Sequence, residues 1–329
     1  MTILITGGAG YIGSHVALNL IDAGYKVTII DDLSTGNKNL IPNNAEFIKC
    51  NINELEKIDS LLKKKKFSAI MHFAGFVSTE ESIKFPKKYF ENNTNNSEKL
   101  FDVCISNKLS NIIFSSTAAV YGDSGKNNII SETTQLKPLN PYGESKFKAE
   151  QYLLKQNPKN VTYIILRYFN VAGADPKLRS GLISKNPTHL IKKTSEAATS
   201  KRDSITIFGN NYDTYDGTAI RDYIHVSDLA DIHIKAFELL IKEKRSEIIN
   251  CGYGKGYSVK EVLNMANLIC GNKIKIINGP RRTGDAQLLV SDISKLKQLI
   301  DWTPKYNKLD FIIKSSIDWE LKLLNEKFL

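Results

Sequence analysis

A chain of 329 residues, 42% hydrophobic and 24% charged, has the composition of a globular protein long enough to bury a large core. No run approaches the roughly 18 apolar residues of a membrane span, and Met1-Thr2 leads straight into Ile3-Leu4-Ile5 without a basic leader; no membrane partner and no secretion are expected, and a cytoplasmic location is. The net charge of +10 is scattered lysine rather than an arginine-rich stripe, so no nucleic-acid partner is expected either; its densest run, at 63–66, closes a helix-like segment where cations suit the negative end of the helix dipole.

In chain order, strands are expected at Thr2–Thr6, Lys26–Asp31, 45–50, 69–73, 111–116 and Thr162–Tyr168. Amphipathic helices fall between them at 11–23, 54–62, 87–107 and Pro141–Gln156. This alternation predicts an α/β fold, a doubly wound parallel sheet (Rossmann) with helices on both faces. Ligands of such sheets sit beyond the carboxyl ends of the strands, where the strand order reverses. After about residue 170 the pattern becomes irregular, with loops at 175–187 and 209–217 and helix candidates at 227–242, 258–270 and 308–324. The expected division is a dinucleotide-binding domain over 1–170 and a smaller mixed α/β substrate lobe over 171–329, with segments free to interleave. Cys50, Cys104, Cys251 and Cys270 are far apart and form no CxxC pair, so they read as reduced thiols; no metal site is expected.

Gly7, Gly10 and Gly13 are spaced GxxGxxG at the first strand-to-helix junction. A tight turn there lets the backbone approach a pyrophosphate, which rests on the helix N-terminus. Asp31 ends the second strand, placed to accept from adenosine ribose hydroxyls, and Asp32 adds a second negative charge. No arginine follows to hold a 2′-phosphate, which favours NAD over NADP.

Thr117, Tyr142 and Lys146 form the second constellation. Of fourteen tyrosines only Tyr142 has lysine four residues on, and on a helix the two share a face. Thr117 closes the fifth strand. A hydroxyl, a phenol and an ammonium group suit removal of a proton from an alcohol as its hydride leaves. A free phenol has a pKa near 10, about three units too high for a base at neutral pH. Lys146 and a positive nicotinamide ring favour phenolate, burial opposes it, and the charges are expected to win.

At these residues the chain resembles the extended short-chain dehydrogenase/reductase family, and within it the nucleotide-sugar 4-epimerase branch. The likeness runs nearly end to end: the glycine turn with Ser14-His15, then His72-Phe73-Ala74-Gly75, Glu81-Ser82, the stretch from Ser115 to Gly122, Tyr142-Gly143-Glu144-Ser145-Lys146 and Leu166-Arg167-Tyr168-Phe169-Asn170. Further on come Ile207-Phe208-Gly209-Asn210, Asp216-Gly217-Thr218, Arg221-Asp222-Tyr223-Ile224-His225-Val226 and Arg281-Arg282-Thr283-Gly284-Asp285.

The resemblance implies that NAD is lined by Gly7, Gly10, Tyr11, Ile12, Gly13, Asp31, Asp32, Leu33, Ser34, Thr35, Gly36, Asn51, Ile52, Phe73, Ala74, Gly75, Val77, Asn92, Tyr142, Lys146 and Phe169. It implies that a UDP-sugar is held by Thr117, Asn170, His189, Leu190, Thr206, Phe208, Arg221, Tyr223, Arg282 and Asp285. Arg221 and Arg282 suit a pyrophosphate, and Phe208 offers a face for uracil.

The implied reaction interconverts UDP-glucose and UDP-galactose. Tyr142 takes the proton of the 4-hydroxyl while hydride passes from C4 to NAD; the 4-keto sugar then turns about its link to the diphosphate and hydride returns to the opposite face. A homodimer paired through the helices at 87–107 and Pro141–Gln156 is also implied.

Several positions depart from common versions of the motif. Thr117 stands for serine, Asn51 for an aspartate, Val77 for a lysine, Glu80 for a glycine and His189 for an asparagine. Leu289, four residues after Asp285, falls where the family gates the sugar's 2-position. Three other readings compete. A 4,6-dehydratase needs an acid and a base after the threonine, where Ala118 and Ala119 stand. A UDP-glucuronate decarboxylase needs a carboxylate-binding group, which is not evident. A non-catalytic dinucleotide sensor would have little use for both Tyr142 and Lys146.

Overall fold

The computed structural model describes residues 1–123, 129–156, 161–185, 187–282 and 285–326; Thr283 and Gly284 of the expected arginine motif lie outside the described residues. Its first half alternates strands β1 (Thr2–Thr6), β2 (Lys26–Asp31), β3 (Glu46–Lys49), β4 (Ala69–His72), β5 (Asn111–Thr117) and β6 (Thr162–Tyr168) with helices. The helices are α1 (Tyr11–Asp22), α2 (Leu55–Lys64), α3 (Thr79–Lys84), α4 (Pro86–Tyr89), α5 (Asn96–Ser106) and α6 (Pro141–Gln156). The second half contributes β7 (Asn170–Ala172), α7 (Leu190–Ala198), β8 (Ile205–Phe208), β9 (Ile220–His225), α8 (Val226–Glu243), β10 (Glu247–Cys251), β11 (Gly256–Ser258), α9 (Val259–Cys270), β12 (Ile276–Gly279), β13 (Leu288–Leu289), α10 (Ser294–Leu299) and α11 (Leu309–Asn325).

Seven parallel strands form the main sheet in the order β10-β6-β5-β4-β1-β2-β3. The order reverses between β1 and β4, and the cleft for a ligand opens beyond their carboxyl ends. The seventh strand comes from well beyond residue 170, so the chain re-enters the first region after starting the second.

Alternation along each strand sorts its side chains to two cores. Ile3, Ile5 and Ile29 face α1 and α8, packing on Val16, Leu20, Leu229, Phe237 and Leu240. Leu4, Ile30, Ile70, Ile112 and Phe114 face the other way, onto Ile58, Leu62, Leu100, Phe101 and Leu153 of α2, α5 and α6. Each such side chain contributes about 1.5–3 kcal/mol by leaving water. Because the side-chain period is two, a slip of one residue would exchange the two cores, so this packing fixes the register.

The expected helix at 87–107 is one helical run over 86–106, but its middle, Phe90–Asn95, is wound as a π-helix. A short helix not expected from the sequence, α3, precedes it, capped by Ser78, whose hydroxyl accepts the Glu81 N–H at 3.2 Å. Pro86 sits in the first turn of the run, where its missing N–H costs nothing.

In the second half β7, β11 and β13 pair with β9, and β8 pairs with β12. A third core joins them to α7, α9 and α11 through Ile191, Ile205, Ile207, Val262, Leu263, Ile312 and Ile313. The strands expected from the sequence ended at residue 168. The later ones, β10 included, have two to six residues, too few for alternation to stand out against loops.

Candidate active site

The glycine turn builds one wall of the cleft from main chain. Gly7 has a φ of +72°, and a Cβ there would lie 2.5 Å from the Ala74 nitrogen. A Cβ on Gly13 would run into the Gly7 carbonyl and come within 2.9 Å of the Gly8 Cα. The turn therefore lies against the loop after β4, and it opens onto the N-terminus of α1. No side chain caps that terminus, and no acid stands in its first turn. Backbone N–H groups at a positive helix end, in a cradle that a methyl group would fill, fit the pyrophosphate of a dinucleotide.

Asp31 ends β2, its carboxylate accepting from Ala9 N–H (3.0 Å) and Leu33 N–H (2.8 Å). Burial raises its pKa, and these two donors oppose the rise. Asp32 accepts from Ser34 N–H (2.8 Å) and from the Asn51 amide (2.5 Å). Burial pushes its carboxyl up, but the hydrogen bonds outweigh it and the net shift is downward. The Asn51 oxygen accepts from Asn53 N–H at 3.0 Å. Asn51 thus positions Asp32. Gly36 closes on Asp31, where a Cβ would sit 2.8 Å from Oδ1. Ile52 is buried beside β3, and Val77 stands exposed at the outer rim.

Thr117, Tyr142 and Lys146 meet at the end of β5. The Thr117 hydroxyl accepts from Ala119 N–H at 3.1 Å and lies on the side of the Tyr142 phenol, where it opposes the effect of burial on that group. A Cβ on Gly143 would lie 2.5 Å from the Ala119 carbonyl oxygen, so glycine lets the start of α6 press onto the turn after Thr117. The Lys146 ammonium donates to the Ser115 carbonyl at 2.9 Å and lies 4.8 Å from the Phe114 ring centroid. Burial lowers its pKa to about 8, with Glu150 opposing. Burial raises the Tyr142 phenol pKa, the effect set against the charges of Lys146 and a bound nicotinamide ring in the expectation from sequence.

Asn93 was not among the expected residues, yet it joins the two halves of this site. Fully buried in the π-helical turn, it accepts from Phe76 N–H (2.9 Å) and donates to Phe76 C=O (2.9 Å) and Ser145 Oγ (3.2 Å). Its neighbour Asn92 donates to it at 3.2 Å. A Cβ on Gly75 would stand 3.2 Å from Asn93 Oδ1 and 3.3 Å from Lys146 Nζ. Tyr89, fully buried, accepts from Ser78 N–H (3.0 Å), donates to Glu81 (2.9 Å) and sets its ring edge-on to Tyr142 at 6.4 Å. The available signal was Asn92-Asn93 within a helical run, where asparagine is disfavoured unless its side chain is employed.

Sheet register assembles the opposite wall. Asn170 pairs with Tyr223, and Leu289 with Arg221. Arg221 donates to the carbonyls of Ile220 (2.9 Å) and Ala286 (2.6 Å). Arg282 bonds Asp285 at 2.9 Å and covers a face of Phe208 at 4.7 Å from the ring centroid. His189 precedes α7 without a side-chain capping bond, and burial followed by Lys193 lowers its pKa.

Tyr11, Asn170, His189, Leu190 and Tyr223 line one cleft, together with Lys192, Trp319 and Glu320, which the sequence did not suggest. Tyr11 thus comes from the glycine-turn side and the others from the substrate side. Thr206 and Phe208 lie apart from that cleft on β8, with Arg282 and Asp285 beside them. Phe169 packs with Ala118, Ile130 and Leu289.

Residues 3–252 match the model of the NAD dependent epimerase/dehydratase family. The chain belongs to that family, and its cofactor is NAD. It is 43% identical to the UDP-glucose 4-epimerase of Azospirillum brasilense over 98% of this chain and 92% of that protein. Among solved structures it is similar to UDP-glucose 4-epimerase from Bifidobacterium longum in complex with NAD⁺ and UDP (TM-score 0.92, 31% identity, 99% of each chain). It is also similar to the UDP-Glc/GlcNAc 4-epimerase of Campylobacter jejuni (TM-score 0.85, 42% identity, 98% of this chain and 99% of that one).

Proposed function

We propose that this enzyme interconverts UDP-glucose and UDP-galactose by oxidising and re-reducing C4 of the sugar. The observation that carries the reading is the meeting of Thr117, Tyr142 and Lys146 at the end of β5, with Gly75 of the loop after β4 set against the Lys146 ammonium. It puts a proton-transferring phenol beside the strand ends that suit a dinucleotide. NAD bound in the glycine cradle supplies the acceptor, and later the donor, of the C4 hydride. Tyr142 takes the proton of the 4-hydroxyl and gives it back to the 4-keto oxygen after the sugar has turned. Thr117 holds that oxygen by a hydrogen bond as the proton moves, and Lys146 favours the phenolate through its charge.

Arg221 and Arg282 grip the diphosphate, each charge-assisted bond contributing about 1.5–3 kcal/mol, while Asn170, His189, Leu190 and Tyr223 line the sugar-nucleotide cleft. Ala118 and Ala119 carry no group able to transfer a proton, which disfavours dehydration. A homodimer paired through the run at 86–106 and α6 belongs to this reading, and light scattering at micromolar concentration tests it.

The decisive assay incubates the purified protein with UDP-galactose and no added cofactor. UDP-glucose should form to a fixed equilibrium ratio, and the same ratio should be reached from UDP-glucose. Absence of turnover from either side would overturn the proposal.

A further inference from the structure

Beneath Lys146 lies a buried ion pair that the reaction above does not use. Glu150 stands one helical turn along α6 from Lys146, fully buried, and Arg167 on β6 is 2% exposed. The guanidinium holds the carboxylate with two bonds, Nε to Oε1 at 3.0 Å and Nη2 to Oε2 at 2.6 Å. Ser116 Oγ donates to the same carboxylate, while its neighbour Ser115 supplies the carbonyl that accepts from Lys146. The two heads of α6 therefore rest on consecutive residues of β5. Arg167 is in turn fixed by the Tyr121 hydroxyl (2.9 Å), which bonds Asn250 on β10 (2.7 Å).

A buried ion pair is a poor source of stability, because desolvating both charges cancels much of their attraction, and apolar replacements of similar volume are often as stable. Its position suggests another use. The charged and titratable groups acting on Lys146 come from β4 and from α6 itself. Burial and Lys146 lower the pKa of His72 on β4, and burial raises that of Tyr142 on α6. Among the described residues Glu150 is the anion that acts on the ammonium, against the burial that lowers its proton affinity.

We propose that Glu150 is a positioning residue of the reaction, holding Lys146 in its place as a cation, with Arg167 and Ser116 holding Glu150. The inference rests on the proposed reaction for its purpose, but its test reads Lys146 directly. The side-chain carbon resonance of Lys146, assigned by its loss in Lys146→Met, is titrated in the full-length protein by NMR.

In Glu150→Gln the titration midpoint should fall by about one pH unit, the scale of a lost neighbouring charge. The alkaline limb of kcat should move down with it while KM changes little. Because Glu150→Gln leaves Arg167 buried without its counter-charge and could fail to fold, Glu150→Met/Arg167→Met is the second variant; having lost the more distant cation as well as the anion, it should show a smaller fall in the same direction. An unchanged midpoint in a folded variant overturns the proposal. So does failure of both to fold, which would make the pair a structural element. Loss of turnover in the wild type with the midpoint shift intact would sink the reaction and leave the Glu150–Lys146 coupling standing.

Discussion

On the proposed function, main-chain atoms build the cofactor end of the cleft, whereas charged side chains build the substrate end. At the first, Gly7, Gly13, Gly75 and Gly143 let backbone segments approach so closely that a methyl group would collide or crowd, and the strands behind them are buried on both faces. At the second, Arg221, Arg282 and Asp285 sit on or beside short strands and lean on one another's charges. A main-chain site is fixed before its ligand arrives and fails as a whole when one atom is added. A side-chain site loses its grip in increments, one bond at a time.

The largest effect is expected where the two ends meet. Tyr142→Phe should lower turnover by about 10²–10⁴-fold, the range for losing a general acid–base, with unchanged bound NAD and little change in Tm. Near wild-type kcat would remove the phenol from the reaction. Gly7→Ala tests the all-or-none character of the main-chain end. Its +72° φ and the Ala74 backbone 2.5 Å away leave no room for a Cβ. Backbone strain alone costs about 1–3 kcal/mol, so nucleotide released on denaturation should fall by at least about tenfold from the near-stoichiometric NAD expected of the wild type. Full retention of NAD would show that the turn is not its seat.

At the side-chain end Arg282→Met should raise KM for the UDP-sugar by roughly tenfold to a hundredfold and leave bound NAD intact. A loss of NAD in this variant would erase the distinction between the two ends. Leu289, half-buried beside Ala118 and Phe169, falls where the family resemblance puts the gate to the sugar's 2-position. Overpacking costs about 1–3 kcal/mol, so kcat/KM should favour UDP-glucose and UDP-galactose over their N-acetyl counterparts by about tenfold to a hundredfold. Equal efficiency, or no gain of N-acetyl activity in Leu289→Ala, would place the gate elsewhere.

The smallest effect concerns the two helices packed on one face of the sheet. His15 and His233 are buried, and burial lowers each pKa to about 4 from 6.5. Between those values the unfolded chain binds more protons than the folded one. Stability should therefore fall as pH drops from 6.5 towards 4, by up to about 1.4 kcal/mol per pH unit for each histidine. Calorimetry of His233→Gln should show a shallower dependence of Tm on pH, and an identical slope would assign acid sensitivity to other groups.

How far each end was legible in the sequence follows from the same contrast. The glycine turn, Asp31 and the Tyr142–Lys146 pair lie at fixed offsets from strong strands, so local spacing reveals them. Asn93 escaped because its partners, Phe76 and Ser145, are 17 and 52 residues away, and the local signal, asparagine within a helical run, does not say which loop and helix it ties together. Lys192 and Glu320 meet across 128 residues to line the cleft. The family likeness located Arg221 and Arg282, but the pairing of β9 with β13 is a tertiary fact.

The π-helical turn at Phe90–Asn95 also acts as an indexing device. In an α-helix each residue advances about 100° around the axis. A wider turn holds one residue more, so it offsets the two halves of the run by that angle. Asn93 before the offset faces Phe76 and Ser145, and Leu100, Phe101 and Cys104 after it face the sheet core. Deleting one residue here would restore even winding and leave the chain able to keep its apolar face or its asparagine clasp, but not both. Length in this segment is thus under as tight a constraint as the identity of any side chain in the cleft.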